Sequence, residues 1–324
     1  MLQSNIFKFV RANHEALSPF ISAITEADKT LLEQTVSKFR PTSDNYEDSW
    51  GYVIQATRYG GFKWYDKKNG YLIFFGRKSD SESTIVVPSF FAEPKYLRTV
   101  ISTIQASLKT QRTILKNINP SDIKTFARHG FRPYKNTEAW GIEARYDDQT
   151  YPQNIVDLKQ VIDLKGKGYH NLRKILRKDA NAIIRKYSDK DLKGVLKVFS
   201  SRDKSLLAHP LSGHGVFYLS HVMYPMADVD KYVILNKTTG EIIGFTAISK
   251  ITPRNAAYVA LLFKTECKIA SIWGIYKTMV EIYNKGYDHI NFGGSESEGT
   301  DTFVGRNFQP IRQIKKTHLI YDPK

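Results

Sequence analysis

Two carboxylates follow a glycine-rich turn near the end of the 324-residue sequence. Glu296 and Glu298 come after Gly293-Gly294-Ser295 in the run YDHINFGGSESEG. A carboxylate at a strand end can take a proton from an attacking amine or bind a cationic side chain such as lysine. An acidic loop can equally cap the helix expected near Thr300. Both carboxylates are therefore candidate catalytic groups, and the capping role stays open.

A second candidate is the basic stretch from 165 to 187, KGKGYHNLRKILRKDANAIIRKY. Its five Lys and three Arg against one Asp carry +7 of the chain's net charge of +16. Lys165-Gly166-Lys167-Gly168 places two ammonium groups and mobile N–H groups before a helix start, a position that attracts phosphate. The stretch can bind the phosphates of RNA or the pyrophosphate of a cofactor, and the spacing of its residues does not distinguish between these two ligands. A solvated face that keeps the protein soluble is the competing interpretation.

If this stretch is one long helix from Tyr169, its apolar residues form a single stripe and its charges occupy the remaining surface. Arg173 and Arg177 then lie on the charged surface. His170 is a candidate base or phosphate ligand, although a histidine at a helix start often packs against its own turn. Tyr169 is expected to pack rather than to donate a proton.

Composition excludes several classes of protein. The chain is 41% hydrophobic, which excludes wholesale disorder, and 48 Lys+Arg against 32 Asp+Glu keep it cationic at physiological pH. Its one cysteine, Cys267, excludes an internal disulfide and is expected to be half-buried rather than a nucleophile. The eight histidines form no ligand-spaced pair, so no metal is expected. No apolar run approaches the roughly 20 residues of a membrane span, which favours a cytoplasmic protein.

The elements that must position these residues recur in the same order in both halves. The sequence of each half predicts, in order, helices, a three-strand antiparallel meander, a helix, a strand, a helix and a strand. The duplication is inferred from this order alone, because there is no strong residue-level repeat. The sequence therefore predicts an α+β fold with domains over 1–150 and 188–324, joined by a linker and a long basic helix over 151–187.

The element order resembles that of a GNAT N-acyltransferase, a mixed sheet whose central strands splay to admit the acyl donor. The run DLKQVIDLKGKGYHNLRKILRK resembles a specific family, the phosphatidylglycerol lysyltransferase C-terminal domains. In that family an LKGKxYHxxRxxI stretch opens the long helix between two GNAT-like halves. The residues that match in place are Leu164, Lys165, Gly166, Lys167, Tyr169, His170 and Arg173. Downstream, IWGIY and GYDHINFGGSE are similar to the helix and strand end of the related Fem-type aminoacyl-tRNA-dependent peptidyltransferases.

The resemblance implies two tandem GNAT-like domains and an aminoacyltransferase. Such an enzyme moves an aminoacyl group, with lysyl as the first guess, from charged tRNA to an amine or hydroxyl acceptor such as phosphatidylglycerol. Aminoacyl-tRNA is then a co-substrate and no cofactor is needed. Because the integral segment that delivers lipid in the membrane lysyltransferases has no counterpart here, lipid as acceptor is in doubt and membrane contact is at most peripheral.

The residues assigned to donor binding on this basis lie in two regions. Arg306 is included because Fem-type relatives continue with Phe-Lys where this sequence has Phe303-Val304, so Arg306 is the candidate replacement. The full set is Lys165, Gly166, Lys167, Tyr169, Arg173, Arg177, Gly293, Gly294, Ser295 and Arg306. The catalytic candidates are Glu296, His170 and Glu298.

Two other functions remain as alternatives. An acetyl-CoA-dependent GNAT acyltransferase binds pyrophosphate with an R/Q-x-x-G-x-G/A loop, and the corresponding CKIASIWG lacks the paired glycines. A non-catalytic nucleic-acid-binding protein would use the basic helix together with the 19 Tyr and 18 Phe residues. Most of those aromatics lie within apolar runs, where the demands of a core explain them.

Overall fold

The computed structural model describes residues 20–56, 61–78, 81–134, 152–178, 180–202, 229–294 and 298–322. The chain divides into two compact units, and neither is continuous in sequence. The first comprises Met1–Thr42, Val53–Ala144 and Lys315–Lys324. The second comprises Ser43–Tyr52 and Arg145–Ile314.

The first unit is built on a mixed sheet whose described strands run in the order β1-β2-β3-β4-β5-β14-β6. Strands β4 and β5 are parallel, and the other neighbours are antiparallel. The strands are β1 (Ile21–Ala23), β2 (Phe62–Asp66), β3 (Tyr71–Lys78), β4 (Ser81–Phe91), β5 (Arg112–Ile118), β6 (Arg132–Pro133) and β14 (Thr317–Tyr321). The helices are α1 (Asp28–Phe39), α2 (Trp50–Ala56, which continues from the second unit into the first), α3 (Pro94–Leu108) and α4 (Ile123–Ala127).

Helix α3 supplies one side of the core of the first unit. Its N-terminal Pro94 already has the backbone dihedral of a helix, and Lys109 ends it in the left-handed region at φ 53°. Leu97, Ile101 and Ile104 are fully buried, and their spacing of three and four residues forms one apolar stripe against the sheet.

The second unit is built on another mixed sheet, with described strands in the order β13-β7-β12-β11-β10-β9-β8. Strands β11 and β12 are parallel, and the other neighbours are antiparallel. The strands are β7 (Gln153–Asp157), β8 (Ala182–Lys186), β9 (Val229–Asn236), β10 (Ile242–Lys250), β11 (Asn255–Phe263), β12 (His289–Gly294) and β13 (Arg312–Ile314). The helices are α5 (Leu158–Asp163), α6 (His170–Leu176), α7 (Leu192–Arg202), α8 (Lys268–Asn284) and α9 (Glu298–Phe308). The expected α+β class, with mixed sheets flanked by helices, is confirmed.

Helix α8 follows β11 and buries one face against this sheet. Ile275, Met279 and Ile282 are at most 3% exposed. Gly274 permits the close approach, because a Cβ there would lie 2.8 Å from Cγ1 of Ile234. Past the helix end, Gly286 adopts φ +93°, the left-handed conformation that favours glycine.

The prediction that residues 165–187 contain one long basic helix is wrong. A 3₁₀ turn at Lys167–Tyr169 leads into the short helix α6, which is followed by the edge strand β8. Asn181 has φ 44°, which is incompatible with a continuing helix. Ile183 and Ile184 instead pair with Leu235 and Ile234 on β9, as suits β-branched side chains.

The domain boundaries also differ from 1–150, 151–187 and 188–324. The segment expected to be a linker supplies β7, which lies between β12 and β13 in the second sheet. The last strand, β14, joins β5 and β6 in the first sheet. Residues 43–52 belong to the second unit. Pairing between residues distant in sequence sets these boundaries, and element order alone does not reveal it.

Candidate active site

The two parallel strands of the second sheet separate after a short pairing. In the described structure β11 pairs with β12 only over Asn255–Ala257, opposite His289–Asn291. Strand β11 continues to Phe263, with Val259 as an extra residue in its register against β10. A bulge of this kind bends a strand and disrupts pairing locally. The result is an opening between β11 and β12, which we call the splay.

The first unit repeats this arrangement. Strands β4 and β5 pair over Thr84–Val87 and Arg112–Leu115, and β4 carries an extra residue against β3 between Val86 and Ser89. The strand before the crossover helix therefore bulges where parallel pairing ends in both units. A bulge at the same place in both sheets supports the interpretation that the two units are copies of one architecture.

The segment Ser43–Tyr52 covers the splay of the second unit. A Cβ on Gly293, at the end of β12, would lie 3.8 Å from the Tyr46 ring. A Cβ on Gly51 would lie 3.0 Å from Cγ1 of Val259, the bulge residue of β11. The Gly51 N–H also donates to Ser249 Oγ at 3.0 Å. One short segment thus contacts both strands that border the opening, with Glu47 between these two contacts in sequence.

A chain of buried hydrogen bonds connects Glu47 to the end of β12. Gln153 Nε2 donates to Glu47 Oε1, and Gln153 Oε1 accepts from Asn291 Nδ2 at 2.8 Å. Asn291 Oδ1 in turn accepts from the Gly293 N–H at 2.7 Å. Glu47 is 4% exposed, and Gln153 and Asn291 are each 1% exposed. The Glu47 carboxylate is therefore buried inside the second unit, and one of its oxygens accepts a hydrogen bond from the Gln153 amide.

Further polar bonds fix the segment that carries Glu47. Asp48 accepts from Ser43 Oγ at 2.6 Å. Asn255 Nδ2 donates to the Ser43 carbonyl at 2.8 Å, and Arg312 forms an ion pair with Asp44. Because the partners lie on β11, on β13 and within the segment itself, its position over the sheet is well determined.

At the end of β12, Gly293 has a left-handed backbone at φ +72°. Strand β12 gains one residue against β7 between Asn291 and Gly294. The Asn291 side chain stabilises this turn through its bond to the Gly293 N–H. The first glycine of the Gly-Gly pair thus satisfies a backbone requirement that other residues meet only with strain.

The Lys165–His170 loop is held in shape by Arg173. Nη1 of Arg173 donates to the carbonyls of Leu164 and Gly166, and Gly166 has φ +90°. Lys165 and Lys167 remain exposed; the ammonium of Lys165 lies 3.7 Å from Asp163 with 86% of its side chain exposed. Arg173 therefore supports the loop from within, while the lysines face solvent.

The same loop packs against the C-terminal end of α9. Asn171 Nδ2 donates to Asn307 Oδ1 at 2.7 Å, and a Cβ on Gly168 would lie 3.0 Å from the Gln309 side chain. Arg306, next to Asn307, is exposed. These contacts place Arg306 on the same side of the second unit as the loop that carries Lys165 and Lys167, although Arg306 is 139 or more positions later in sequence. We call this surface the basic loop surface.

The remaining predicted residues have varied positions. His170 is exposed at the start of α6, and Arg177 is exposed just past its end. Tyr169 is buried, and burial raises the pKa of its phenol, in keeping with a packing role. Gly294 ends β12, and the backbone of Glu298 begins α9. Ser295 and Glu296 lie outside the described residues.

Cys267 is half-buried immediately before α8, as expected. Burial, with a smaller contribution from Glu266, raises the pKa of its thiol. A raised pKa leaves little thiolate near neutral pH, which argues against a nucleophilic role.

Sequence reasoning missed Glu47, Gln153 and Asn291. The polar pair Gln153-Asn154, directly before the apolar Ile155-Val156, was an available signal, because amides at the start of a buried strand need internal partners. Glu47 gave no such signal. Its run NYEDSW reads as an exposed loop, and only the packing of the segment on the second sheet reveals its burial.

Comparison with known proteins rests on structure. No family model and no curated sequence matches this chain. A conserved protein of unknown function from Bacteroides thetaiotaomicron superposes with a TM-score of 0.71 at 15% identity, covering 94% of this chain and all of that one. FemX superposes with a TM-score of 0.60 at 10% identity, covering 94% of this chain and 97% of that one. The C-terminal domain of a putative lysylphosphatidylglycerol synthetase from Agrobacterium fabrum superposes with a TM-score of 0.56 at 14% identity, covering 92% of this chain and 93% of that one.

At these identities the likeness establishes the fold alone. The fold is the tandem GNAT-like type, and it is shared with a lysylphosphatidylglycerol synthetase domain and with FemX, as the KGKGYH run had indicated. Within the described residues, no helix is both long and apolar enough to cross a membrane.

Proposed function

We propose that this protein is an aminoacyltransferase that moves an aminoacyl group from charged tRNA to an amine or hydroxyl acceptor. The fold supports this proposal, because a lysylphosphatidylglycerol synthetase domain and FemX share it. The observation that carries it is the basic loop surface. Lys165 and Lys167 are exposed on the loop, Arg306 is exposed on α9, and the bond from Asn171 to Asn307 joins the two elements. Phosphate contacts of this kind dominate affinity for nucleic acid.

The proposed chemistry needs little from the protein beyond orientation. The acceptor nitrogen or oxygen attacks the ester carbonyl carbon, and its bond to that carbon forms. The ester C–O bond to the terminal ribose breaks, and the proton lost by the acceptor goes to the departing ribose oxygen. Since the ester is already activated, positioning and stabilisation of the developing oxyanion supply most of the acceleration. Lysine is the first amino acid to test, and phosphatidylglycerol vesicles provide a peripheral lipid acceptor.

The test is discharge of total aminoacyl-tRNA in the presence of lipid, peptide and small-amine acceptors, with products identified by mass spectrometry. The proposal expects an aminoacyl adduct, and its rate should fall in K165Q/K167Q. The matched control is K190Q/K237Q, which removes the same charge from exposed lysines elsewhere in the second unit. Absence of any adduct across the panel would contradict the proposal. Adduct formation from acetyl-CoA alone would favour a CoA-dependent acyltransferase, and RNA retention without turnover would favour a binding protein.

A further inference from the structure

Five aromatic rings of the first unit lie in a continuous chain of contacts, which we call the aromatic row. In order, the rings are those of Phe20, Trp64, Tyr96, Tyr71 and Phe39, with neighbouring ring centres 4.7–6.1 Å apart. The three inner rings are buried or half-buried, whereas Phe20 is 54% exposed and Phe39 is 38% exposed. Both ends of the row therefore present aromatic surface to solvent, and packed rings support them.

The two exposed rings are attached to ordered elements. The carbonyl of Phe20 accepts a hydrogen bond from the Tyr65 N–H of β2 at 3.3 Å, and Phe39 is the last residue of α1. Lys38 Nζ lies 4.9 Å from the centre of the Phe39 ring and donates to the Asn69 carbonyl at 3.4 Å. Rings that are already positioned lose little conformational freedom when a flat ligand stacks on them.

A hydrogen-bonded turn connects the aromatic row to exposed lysines. Tyr96 Oη donates to Asp66 Oδ2 at 2.6 Å. Asp66 Oδ1 accepts from the N–H groups of Lys68 and Asn69 at 2.9 and 3.2 Å, in the turn between β2 and β3. The Asp66 carboxylate is therefore engaged within the turn, while the side chains of Lys67 and Lys68 are exposed.

The charge around the row is positive. The exposed cations on the elements that carry its rings are Lys38, Lys67, Lys68, Lys95 and Arg98. The exposed carboxylate of Glu93, at the start of α3, offsets one of these charges. Cations interleaved with exposed aromatic rings are typical of surfaces that bind single-stranded nucleic acid, because bases stack on the rings and phosphates contact the cations. A duplex keeps its bases stacked on one another, so the combination favours a single strand.

We propose that Phe20 and Phe39 stack against unpaired bases of a single-stranded nucleic acid. The cations that contact its phosphates are those nearest Phe39, namely Lys38, Lys67 and Lys68. This site lies wholly within the first unit. It does not rest on the proposed function, which assigns phosphate binding to the basic loop surface of the second unit.

The experiment compares the affinities for a labelled single-stranded uridine RNA of about twelve nucleotides and for an RNA duplex of the same length, measured by fluorescence anisotropy. Phe20→Ala and Phe39→Ala should each weaken single-strand binding about fivefold or more, the range for loss of one stacked base, and leave duplex binding unchanged. Phe39→Tyr keeps an aromatic ring and should retain the affinity. Phe39→Leu keeps an apolar side chain without a ring and should lose the affinity as Phe39→Ala does.

The matched control is Ile183→Ala, which removes an exposed apolar side chain from the second unit and should keep the wild-type affinities. Thermal melts show which variants are folded. Should an alanine variant not fold, the leucine variants F20L and F39L decide. Unchanged single-strand binding in F20A/F39A would overturn the inference. Self-association of wild type that F20A/F39A abolishes without changing RNA binding would also overturn it, because the rings would then serve a protein contact.

The outcomes separate this inference from the proposed function. The RNA probes carry no amino acid, so stacking on Phe20 and Phe39 stands even if no aminoacyl-tRNA is discharged. If transfer occurs but F20A/F39A binds the single strand as wild type does, the transferase proposal stands and the stacking site is excluded.

Discussion

Asn171 donates a 2.7 Å hydrogen bond to the side-chain oxygen of Asn307, 136 positions later in the chain. The first residue belongs to α6, just after the Lys165–His170 loop, and the second to the last turn of α9. This bond joins the two parts of the basic loop surface. The arrangement of the exposed cations is therefore set by a neutral amide pair beneath them.

We expect Asn171→Ala to lower the free energy of unfolding by about 1–3 kcal/mol, because it leaves the amide of Asn307, only 3% exposed, without this partner. Urea denaturation measures the change. The double variant N171A/N307A removes both groups and should cost less than the two single variants added together. Strict additivity of the two changes would contradict a direct interaction between the side chains.

The exposed lysines should govern the salt dependence of RNA binding. If Lys165 and Lys167 each neutralise a phosphate, the slope of log affinity against log salt should fall by about 1 for each lysine replaced by Gln. Fluorescence anisotropy with labelled tRNA at several salt concentrations measures this slope. The control K190Q/K237Q should keep the wild-type slope, and an equal loss there would indicate general rather than local attraction.

Two glycines should respond to alanine in opposite directions. Gly293→Ala should destabilise the protein by about 1–2 kcal/mol, because φ +72° is costly for a residue with a Cβ. The Tyr46 ring, 3.8 Å from that Cβ, leaves enough space, so the cost arises from the backbone. Gly305→Ala in α9 meets nothing within 4 Å and should stabilise the helix by about 1 kcal/mol. Chemical denaturation of both variants compares them, and a shift of the same sign in both would be inconsistent with this explanation.

Gly51→Ala should displace the segment that covers the splay. The added Cβ would approach Ser249 Cβ and Val259 Cγ1 at 3.0 Å, and both belong to packed strands. Overpacking of this kind costs about 1–3 kcal/mol. Transfer activity should fall together with stability, as measured by melting and by the discharge assay. The control variant is Gly305→Ala, because nothing lies within 4 Å of the added Cβ. Gly240→Ala is unsuitable as a control, because Gly240 has φ +70° and alanine there would be strained. Unchanged activity in Gly51→Ala would show that the segment's position is unimportant for transfer.

The pH dependence of stability should carry a contribution from Lys231. Burial lowers the pKa of this lysine from 10.5 to about 8, and Asp189 opposes the shift. Its ammonium lies 5.7 Å from the centre of the Tyr187 ring. Between about pH 8 and 10.5 the unfolded chain retains the proton that the folded protein has released, so the free energy of unfolding rises with pH. Below pH 8 both states hold the proton and this slope disappears.

Replacing Lys231 by Met should remove this rise. Urea denaturation of wild type and K231M at pH 7, 8, 9 and 10 measures it, with K237M as the exposed control. The difference in stability between K231M and wild type should narrow as the pH rises from 8 to 10. A constant difference across that range would contradict a lowered pKa in the folded protein.

Local sequence patterns predict helices and strands well where the apolar periodicity agrees with the cap and turn residues at the ends of the element. Helix α8 and its ending before Gly286 can be predicted from apolar spacing and a glycine C-cap. The 165–187 stretch misled because Ile183 and Ile184 fit a helical stripe as readily as a strand. Their pairing with β9 decides between the two, and that partner lies some fifty residues away.

The candidate site was predictable only in part. The KGKG run indicated the exposed lysines, and the Gly-Gly pair indicated the turn in which Gly293 has its left-handed backbone. The buried bonds that join Glu47, Gln153 and Asn291 bridge residues 106 and 138 positions apart. Such contacts depend on the packing of the segment on the sheet, which no local pattern encodes.

The strand order of the first sheet restricts when that unit can form during synthesis. Strand β14 separates β5 from β6, so β6 has no neighbour in the described sheet until residues 317–321 have been made. Proteins assembled from sequential domains usually fold the N-terminal one first as it emerges from the ribosome. Here the N-terminal sheet is complete only after the whole second unit has been translated. Until then β5 and β6 lack the strand that pairs with them both, and the first unit is the last to be completed.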